Sequence, residues 1–310
     1  MSNGIPTGEQ DTANLELIVN KDASNGYVGL TALKINFKNV LNTFTSFLTN
    51  SNTASRTYTF PDKDLTVAGI SDIPYDGWIS LGTCTYEGAD SPTFTFSIAS
   101  DVTGIIAVRQ RIKLTQTTVK YFIIHAVGAY TAGKTIITIY GGTDYSLANA
   151  AIISPYYSLS DTPFGFNPDP AKWTVTLNDV TARTQASPVA NTVYNLGSLS
   201  ISMPIGSWDV QAMMSGYSVA NASTSALDFN CGLSTSASSF SNANLKGKHQ
   251  LNGALNGNAL VNTITLVGKV SVTSKTTYYV VASTTASTVS SIGLVNNQSP
   301  LNVYLRSAYL

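Results

Sequence analysis

Arg56-Thr57-Tyr58-Thr59-Phe60-Pro61-Asp62-Lys63-Asp64-Leu65-Thr66-Val67-Ala68 runs as a strictly alternating strand into a charged turn and out again. Successive side chains of a strand point to opposite faces, so Thr57 and Thr59 are set against Tyr58 and Phe60, a β pattern and not a helical one. The bulk of the chain agrees with this stretch. Of its 310 residues 38 are Thr, 36 Ser and 25 Asn, whereas Asp, Glu, Lys and Arg together reach 11%. Such a surface is solvated by hydroxyls and amides in place of charges. Thr fits a pleated, half-buried strand, while Asn and Ser compete locally with helical hydrogen bonding and favour turns and edges. The expectation is an all-β protein. Its 43% of apolar residues supply ample core, its aromatics argue against disorder, and its length suits two or three modules.

Several classes of function are disfavoured at once. The 17 basic and 17 acidic residues cancel, leaving no basic footprint for nucleic acid and no reason to expect a partner held by charge. No apolar run is long enough to span a bilayer, and Met1-Ser2-Asn3-Gly4-Ile5-Pro6 lacks the basic segment and apolar core of a signal peptide. The chain is therefore expected to be made in a cytoplasm, outside the secretory route and without membrane insertion. Cys84 and Cys231 fall in what read as different modules, so buried free thiols are expected in place of a disulfide. With His125 and His249 they form no recognised zinc spacing, and neither a metal nor another cofactor is expected.

Punctuation divides the chain into five parts. Residues 1–27 are polar, carry Gly4, Pro6, Gly8 and Gly26, and read as an attachment arm that orders against another protein. Over 28–72 two periods compete: Leu30, Leu33, Phe37, Val40, Phe44 and Phe47 repeat at the spacing of a coiled-coil seam, whereas Leu33, Ile35 and Phe37 alternate as a strand. The poor helix formers Asn36, Asn39, Asn42, Thr43, Thr45 and Thr49 decide for strand. A narrow segment so rich in apolar residues cannot bury them alone, so several chains are expected to wind together here as a β-shaft.

Ile73-Pro74-Tyr75-Asp76-Gly77-Trp78 opens the third part, 73–158, with short strands at Thr93–Ile98, Gln110–Thr115, Lys120–Val127 and Lys134–Tyr140. It reads as a small antiparallel β-barrel or sandwich. Pro163, Pro168 and Pro170, with Gly165 among them, make 159–172 a semi-rigid linker between two folded bodies. In the last part, 173–310, strands are expected at Trp173–Leu177, Thr192–Met203, Gly206–Met213, Ala226–Leu233, Asn262–Val272, Thr276–Thr284 and Leu301–Leu310. An apolar, aromatic final strand ties the terminus into a sheet.

The stretch at 56–68 resembles a segment that recurs in virion fibres of tailed bacteriophages. Its lead-in deepens the likeness: Gly26-Tyr27-Val28-Gly29-Leu30, Leu33-Lys34-Ile35-Asn36-Phe37-Lys38-Asn39, Thr43-Phe44-Thr45-Ser46-Phe47-Leu48-Thr49-Asn50 and Thr53-Ala54-Ser55. A second patch, independent of the first, is similar to phage fibre modules: Arg111-Ile112-Lys113-Leu114-Thr115-Gln116-Thr117-Thr118-Val119-Lys120-Tyr121-Phe122, with Gly141 to Ala148 and Ile153 to Ser158. Gly206 to Met213, Thr276 to Ala282 and Asn302 to Leu310 look like strands of the tumour-necrosis-factor-like jelly roll that caps many fibres, by pattern more than by motif. The resemblance implies an elongated homotrimeric tail-fibre or receptor-binding protein, a virion tail component assembled in the host cytoplasm. Its N-terminal end would dock to phage tail or baseplate proteins, and its jelly-roll head would recognise a host cell-surface glycan or protein. A purely structural fibre or baseplate component that spaces another receptor binder is the alternative.

Because some phage fibres degrade the polysaccharide they bind, a depolymerase is the third and less favoured reading. Glycoside cleavage normally needs two carboxyl groups at a defined separation. After Asp179 only Asp209 and Asp228 remain, and they are expected to be ordinary structural residues. Glu87, Asp90 and Asp101 flank turns, and Asp62 and Asp64 offer too few oxygens for a calcium loop. His125 sits within Phe122-Ile123-Ile124-His125-Ala126-Val127 and reads as a satisfied core or polar-face histidine. Neither a nucleophile elbow nor a phosphate loop occurs, so no catalytic residue is expected. Binding remains. Ser234 to Ala259 is rich in Gly and Asn and holds Phe240, Asn244, Lys246, Lys248, His249, Gln250 and Asn252. Amides that both donate and accept suit sugar hydroxyls, and Phe240 offers an apolar platform. Tyr217, within Gly216-Tyr217-Ser218-Val219-Ala220-Asn221, is a second candidate from a neighbouring strand end or loop.

Overall fold

The computed structural model of the chain describes residues 29–31, 34–38, 45–49, 76–221, 224–241, 245–255, 259–295 and 301–310. The arm at 1–27 and the stretch at 56–68 lie outside the described residues. The protein is all-β with antiparallel sheets, and Pro170–Trp173 forms a 3-10 turn. It divides into two compact units, Met1–Val67 and Ala68–Leu310.

In the first unit, β1 (Gly29–Thr31), β2 (Lys34–Lys38) and β3 (Thr45–Thr49) form a three-stranded sheet in that order. Ile35 pairs with Leu30 on one side and Leu48 on the other. The strand reading of this segment holds over its described part, and the coiled-coil spacing does not produce a helix there.

The second unit begins with β4 (Ile79–Ser80), β5 (Cys84–Asp90), β6 (Thr93–Ile98), β7 (Arg111–Gln116), β8 (Thr118–Val127), β9 (Thr135–Tyr140) and β10 (Ile153–Ser158). All seven belong to one sheet, in the order β4-β10-β7-β8-β9-β6-β5. This is a single antiparallel sheet, and because its two end strands, β4 and β5, are joined by residues 81–83 alone, it curls back until those ends lie near one another. One of its faces carries Phe94, Phe96, Ile112, Leu114, Phe122, Ile124, Ile137 and Ile139, sealed by Val102, Ile106 and Leu147 from the connecting segments. The other face is not free. Ile123 and Tyr140, whose side chains point the opposite way, belong to the core of the C-terminal strands. The unbroken run Phe122-Ile123-Ile124 is the chemical signature of a strand buried on both sides.

Ten strands follow: β11 (Thr174–Asp179), β12 (Arg183–Ala186), β13 (Tyr194–Met203), β14 (Gly206–Ala220), β15 (Thr224–Ser234), β16 (Lys246–Leu255), β17 (Ala259–Val272), β18 (Thr276–Ser283), β19 (Val289–Leu294) and β20 (Leu301–Ser307). The long β14 is the spine of one sheet. Its residues 206–219 pair with β17 on one edge, and the other edge is shared by β20 along 208–214 and β19 along 216–220. Beyond these, β11 pairs with β20 and β12 with β19. β11–β12 and β19–β20 thus act as two interrupted strands, and the sheet is effectively four strands wide. The opposing sheet has the order β13-β18-β15-β16. Every even-numbered side chain of β14 is buried between the sheets, among them Trp208, Val210, Ala212 and Met214. Facing them from β15 are Leu227, Phe229, Cys231 and Leu233.

The interval 159–172 lies against both sets of strands. The Trp78 indole donates to the Phe164 carbonyl (2.8 Å), Phe164 N donates to Asp76 O (2.9 Å), and Trp173 Nε1 donates to Asn167 O (2.7 Å). Phe166 stacks on Trp173 at 5.0 Å between ring centroids, Trp173 meets Tyr140 edge-on at 6.2 Å, and Tyr140 meets Trp208 at 5.3 Å. His125 continues the row, 5.2 Å from Trp208 and 5.0 Å from Tyr309. An unbroken seam of rings therefore runs from the seven-stranded sheet through this strap into the final strands. Gly206 permits it: its φ is +123°, and a Cβ there would come within 2.6 Å of His125 Nδ1.

Candidate functional site

The segment from Lys246, expected as part of a loop, is the regular edge strand β16, paired to β15 with Gly232 opposite Lys246, Asn230 opposite Lys248, Asp228 opposite Gln250 and Ala226 opposite Asn252. Gly, Asn and Lys are weak strand formers, but here the ladder to β15 outweighs local preference. Alternation then sorts the expected residues. Lys246, Lys248, Gln250 and Asn252 project outward from the sandwich in one row and are exposed. His249 points to the opposite side, opposite Phe229, and its Nδ1 is buried without a hydrogen-bond partner. Phe240 is half-buried beside Gly232, with the Lys246 ammonium 4.3 Å from its ring centre. Asn244 lies outside the described residues.

Tyr217 stands near the C-terminal end of β14, which closes at Ala220. It projects from the outer face of the other sheet, so the sandwich separates it from the β16 row. Its ring lies over Gly293, whose Cβ would approach it to 2.8 Å, and its hydroxyl meets Thr184 Oγ1 at 2.6 Å.

Beneath the β16 row sits Asp228, only 2% exposed. One carboxylate oxygen accepts from Thr284 Oγ1 (2.9 Å), Thr285 N (2.9 Å) and Ala286 N (3.2 Å), and the other accepts from Asn230 Nδ2 (2.7 Å). Lys248 Nζ stands 3.8 Å away. Burial alone would raise the Asp228 carboxyl, but the bonds from Thr285, Thr284 and Asn230 outweigh it and hold the group below the ordinary carboxylate value. A carboxylate so fully engaged is a clamp on the turn after β18. Asp228→Asn is expected to lower stability at pH 7 by about 2 kcal/mol, since a charge-assisted acceptor becomes a neutral one. Denaturant unfolding checks the size; an unchanged midpoint would refute the clamp.

The other ionisable groups are likewise engaged structurally. Asp209 projects from the outer face opposite to that of Asp228, with Lys269 at 3.4 Å. The two carboxyls have the sandwich core between them and cannot flank one glycosidic bond. His125 is buried, with Nδ1 2.8 Å from Ile205 O and Nε2 3.1 Å from Ser307 Oγ, and burial followed by the nearby Arg111 lowers its pKa to about 4 against the pull of the Ile205 carbonyl. Both cysteines are free and buried, and burial pushes each thiol up to about 12. Among the described residues no group of three or more His, Cys, Asp or Glu could hold a metal ion, and no helix is long and apolar enough to cross a membrane. A shallow depression of about 250 Å³ beside Pro92, Phe94 and Tyr145 has one carboxylate, Asp144, which Lys172 and Thr143 already occupy. The arrangement best suited to a ligand is the β16 row: two ammonium groups, two amides and a ring edge on one accessible strip, able to donate and accept but without a nucleophile or base.

No known protein family and no curated protein matches the chain. Among solved structures it is similar to a protein of the T13 particle of infectious bursal disease virus, at 11% identity and a TM-score of 0.22 over 75% of this chain and 56% of that one. It is also similar to VP2 of a subviral particle of the same virus, at 11% identity and a TM-score of 0.21 over 75% of this chain and 63% of that one. The chain thus spans less than two thirds of either structure.

Proposed function

We propose that this chain is a homotrimeric virion fibre protein of a tailed bacteriophage, with a jelly-roll head that binds a host-surface glycan through the outward row of β16. The jelly-roll reading is supported by the strand order. Counting β11–β12 and β19–β20 as single interrupted strands, successive strands alternate between the two sheets except at the β15–β16 hairpin. First pairs with last, β13 with β18, and β14 with β17, as in one ribbon doubled back at β15–β16 and rolled up. The fibre reading rests on the residue patches at 26–68 and 111–158. Weak single-site binding by equivalent heads is compensated by effective concentration on a dense receptor. The observation that carries the ligand class is the uncharged-amide and ammonium strip Lys246, Lys248, Gln250 and Asn252 on one face.

The test is competition for host cells between virions and the purified full chain, beside a Lys246→Ala, Lys248→Ala, Gln250→Ala variant. The wild type is expected to block adsorption, and the variant to need at least about tenfold more protein, the loss of two or three exposed hydrogen bonds. Equal blocking would remove the β16 row from the reading. A wild type that never competes would favour the structural fibre component instead.

A further inference from the structure

The two outer faces of the sandwich are unequal. On the sheet containing β15 and β18, outward-facing Val281 is 0% exposed, Asp228 2% and Ser283 6%. The segments at 235–241 and 284–286 cover that face through bonds from Ser241 to Ser234 and from Thr285 and Ala286 to Asp228. The face built on β14 has no such cover among the described residues. Val267 is 72% exposed and Val261 57%, with Met213 and Tyr304 each 37% exposed between them. In register, Tyr304, Gln211 and Val267 form one row across three strands, Asn302, Met213 and Thr265 the next, and Tyr217 with Val261 another.

We infer that this face packs against a second copy of the chain. Strand spacing and rise give it roughly 40 Å by 19 Å, on the order of 800 Å², which is what each partner contributes to an interface of standard size. Its charges, Arg306, Asp209 and Lys269, are gathered in one row near the Gly206 end of β14. The remaining rows are uncharged, with Tyr and Met exposed at their centre. Depletion of charge around exposed Tyr and Met is one mark of an interface, and the amides and hydroxyls of Gln211, Asn302, Ser215 and Thr265 stand among them. A partner of opposite charge has nothing to hold, whereas the largely uncharged surface of another copy does. The inference depends on the self-association contained in the fibre reading and adds the surface that performs it.

Val267→Cys supplies the test, because Cys84 and Cys231 are buried and a maleimide then reports position 267 in the intact full chain. Light scattering is expected to give a mass of several chains, with the thiol at least about tenfold slower than in Val261→Asp, Val267→Cys, where an introduced charge opens the face. A mass of several chains with a fast thiol would overturn this surface and leave the fibre reading standing. A single-chain mass would overturn both. A thiol equally slow in the two variants would mean that something other than a second copy shields the face, and would also overturn the inference.

Discussion

Arg111→Met is expected to lower the stability of the second unit by about 3 to 5 kcal/mol, and its thermal midpoint by about 10 °C. Arg111 is 1% exposed, and its donors are spread over three backbone carbonyls. Nε donates to Asp161 O at 2.9 Å, and Nη1 donates to Tyr309 O at 2.9 Å and to Arg109 O. The guanidinium also lies 4.7 Å from the ring centre of Phe166. Methionine fills much of the space but leaves those carbonyls in a low-dielectric seam without donors, at about 1–3 kcal/mol for each one stranded. The carboxylate of Asp161, 3.8 Å away and mostly exposed, adds little. Lys113 provides the contrast, on the same strand and the same face. Its ion pair with Asp76, at 3.1 Å, is partly solvated, so Lys113→Met should cost under about 1 kcal/mol. Thermal and denaturant unfolding of the two variants side by side decide the matter, and comparable losses would refute the assignment of Arg111 as the buried bracket.

Acid is the second lever. His125 has a folded-state pKa of about 4 against an ordinary 6.5, so between those values the unfolded chain binds a proton that the folded chain refuses. The stabilisation is complete above pH 6.5 and is lost as pH falls toward 4, about 3 kcal/mol in all. The geometry explains the refusal. Nδ1 donates to the Ile205 carbonyl and Nε2 lies against the neutral Ser307 hydroxyl, so a second ring proton would create a buried cation with no counter-charge beside it. The groups facing it are Tyr140, Trp208 and Tyr309, none of them anionic, and the nearest charge is the Arg111 cation, which opposes protonation further. His125→Asn removes the titration and keeps a donor near Ile205. Unfolding at pH 7 and pH 4 should show the wild type losing about 3 kcal/mol more than the variant over that interval. Equal losses would show that acid acts elsewhere.

Much of the fold is legible residue by residue. Alternation at Gly206 to Met213 marked half of β14, and Thr93–Ile98 and Thr276–Thr284 fall on β6 and β18 to within a residue. What alternation could not reveal was β16, because an edge strand of Lys, Gly, Asn and Gln carries no apolar stripe and is specified by the strand beside it. The candidate site was legible in part for the same reason: composition singled out the segment, but only the register turned His249 away from Lys248 and placed Tyr217 on the other sheet. The interval 159–172 shows the opposite failure. Its prolines read as a tether, yet Phe166 and Trp173 at its end are buried rings that a solvated tether would not carry. The unbroken Phe122-Ile123-Ile124 already implied a second buried face for them to meet.

The ring seam between the seven-stranded sheet and the sandwich bears on how such a protein can diversify. A specificity that sat on a freely tethered head could be exchanged by cutting the gene anywhere in the tether. Here a cut between 159 and 172 would part Arg111 from Tyr309, His125 from Ser307, and Tyr140 from Trp208, leaving two raw aromatic surfaces. On the proposed reading, the unit that could be exchanged is therefore Ala68–Leu310 taken whole, and a new β15–β16 tip would come either with that entire block or by substitution within the hairpin, where nothing in the seam needs to change.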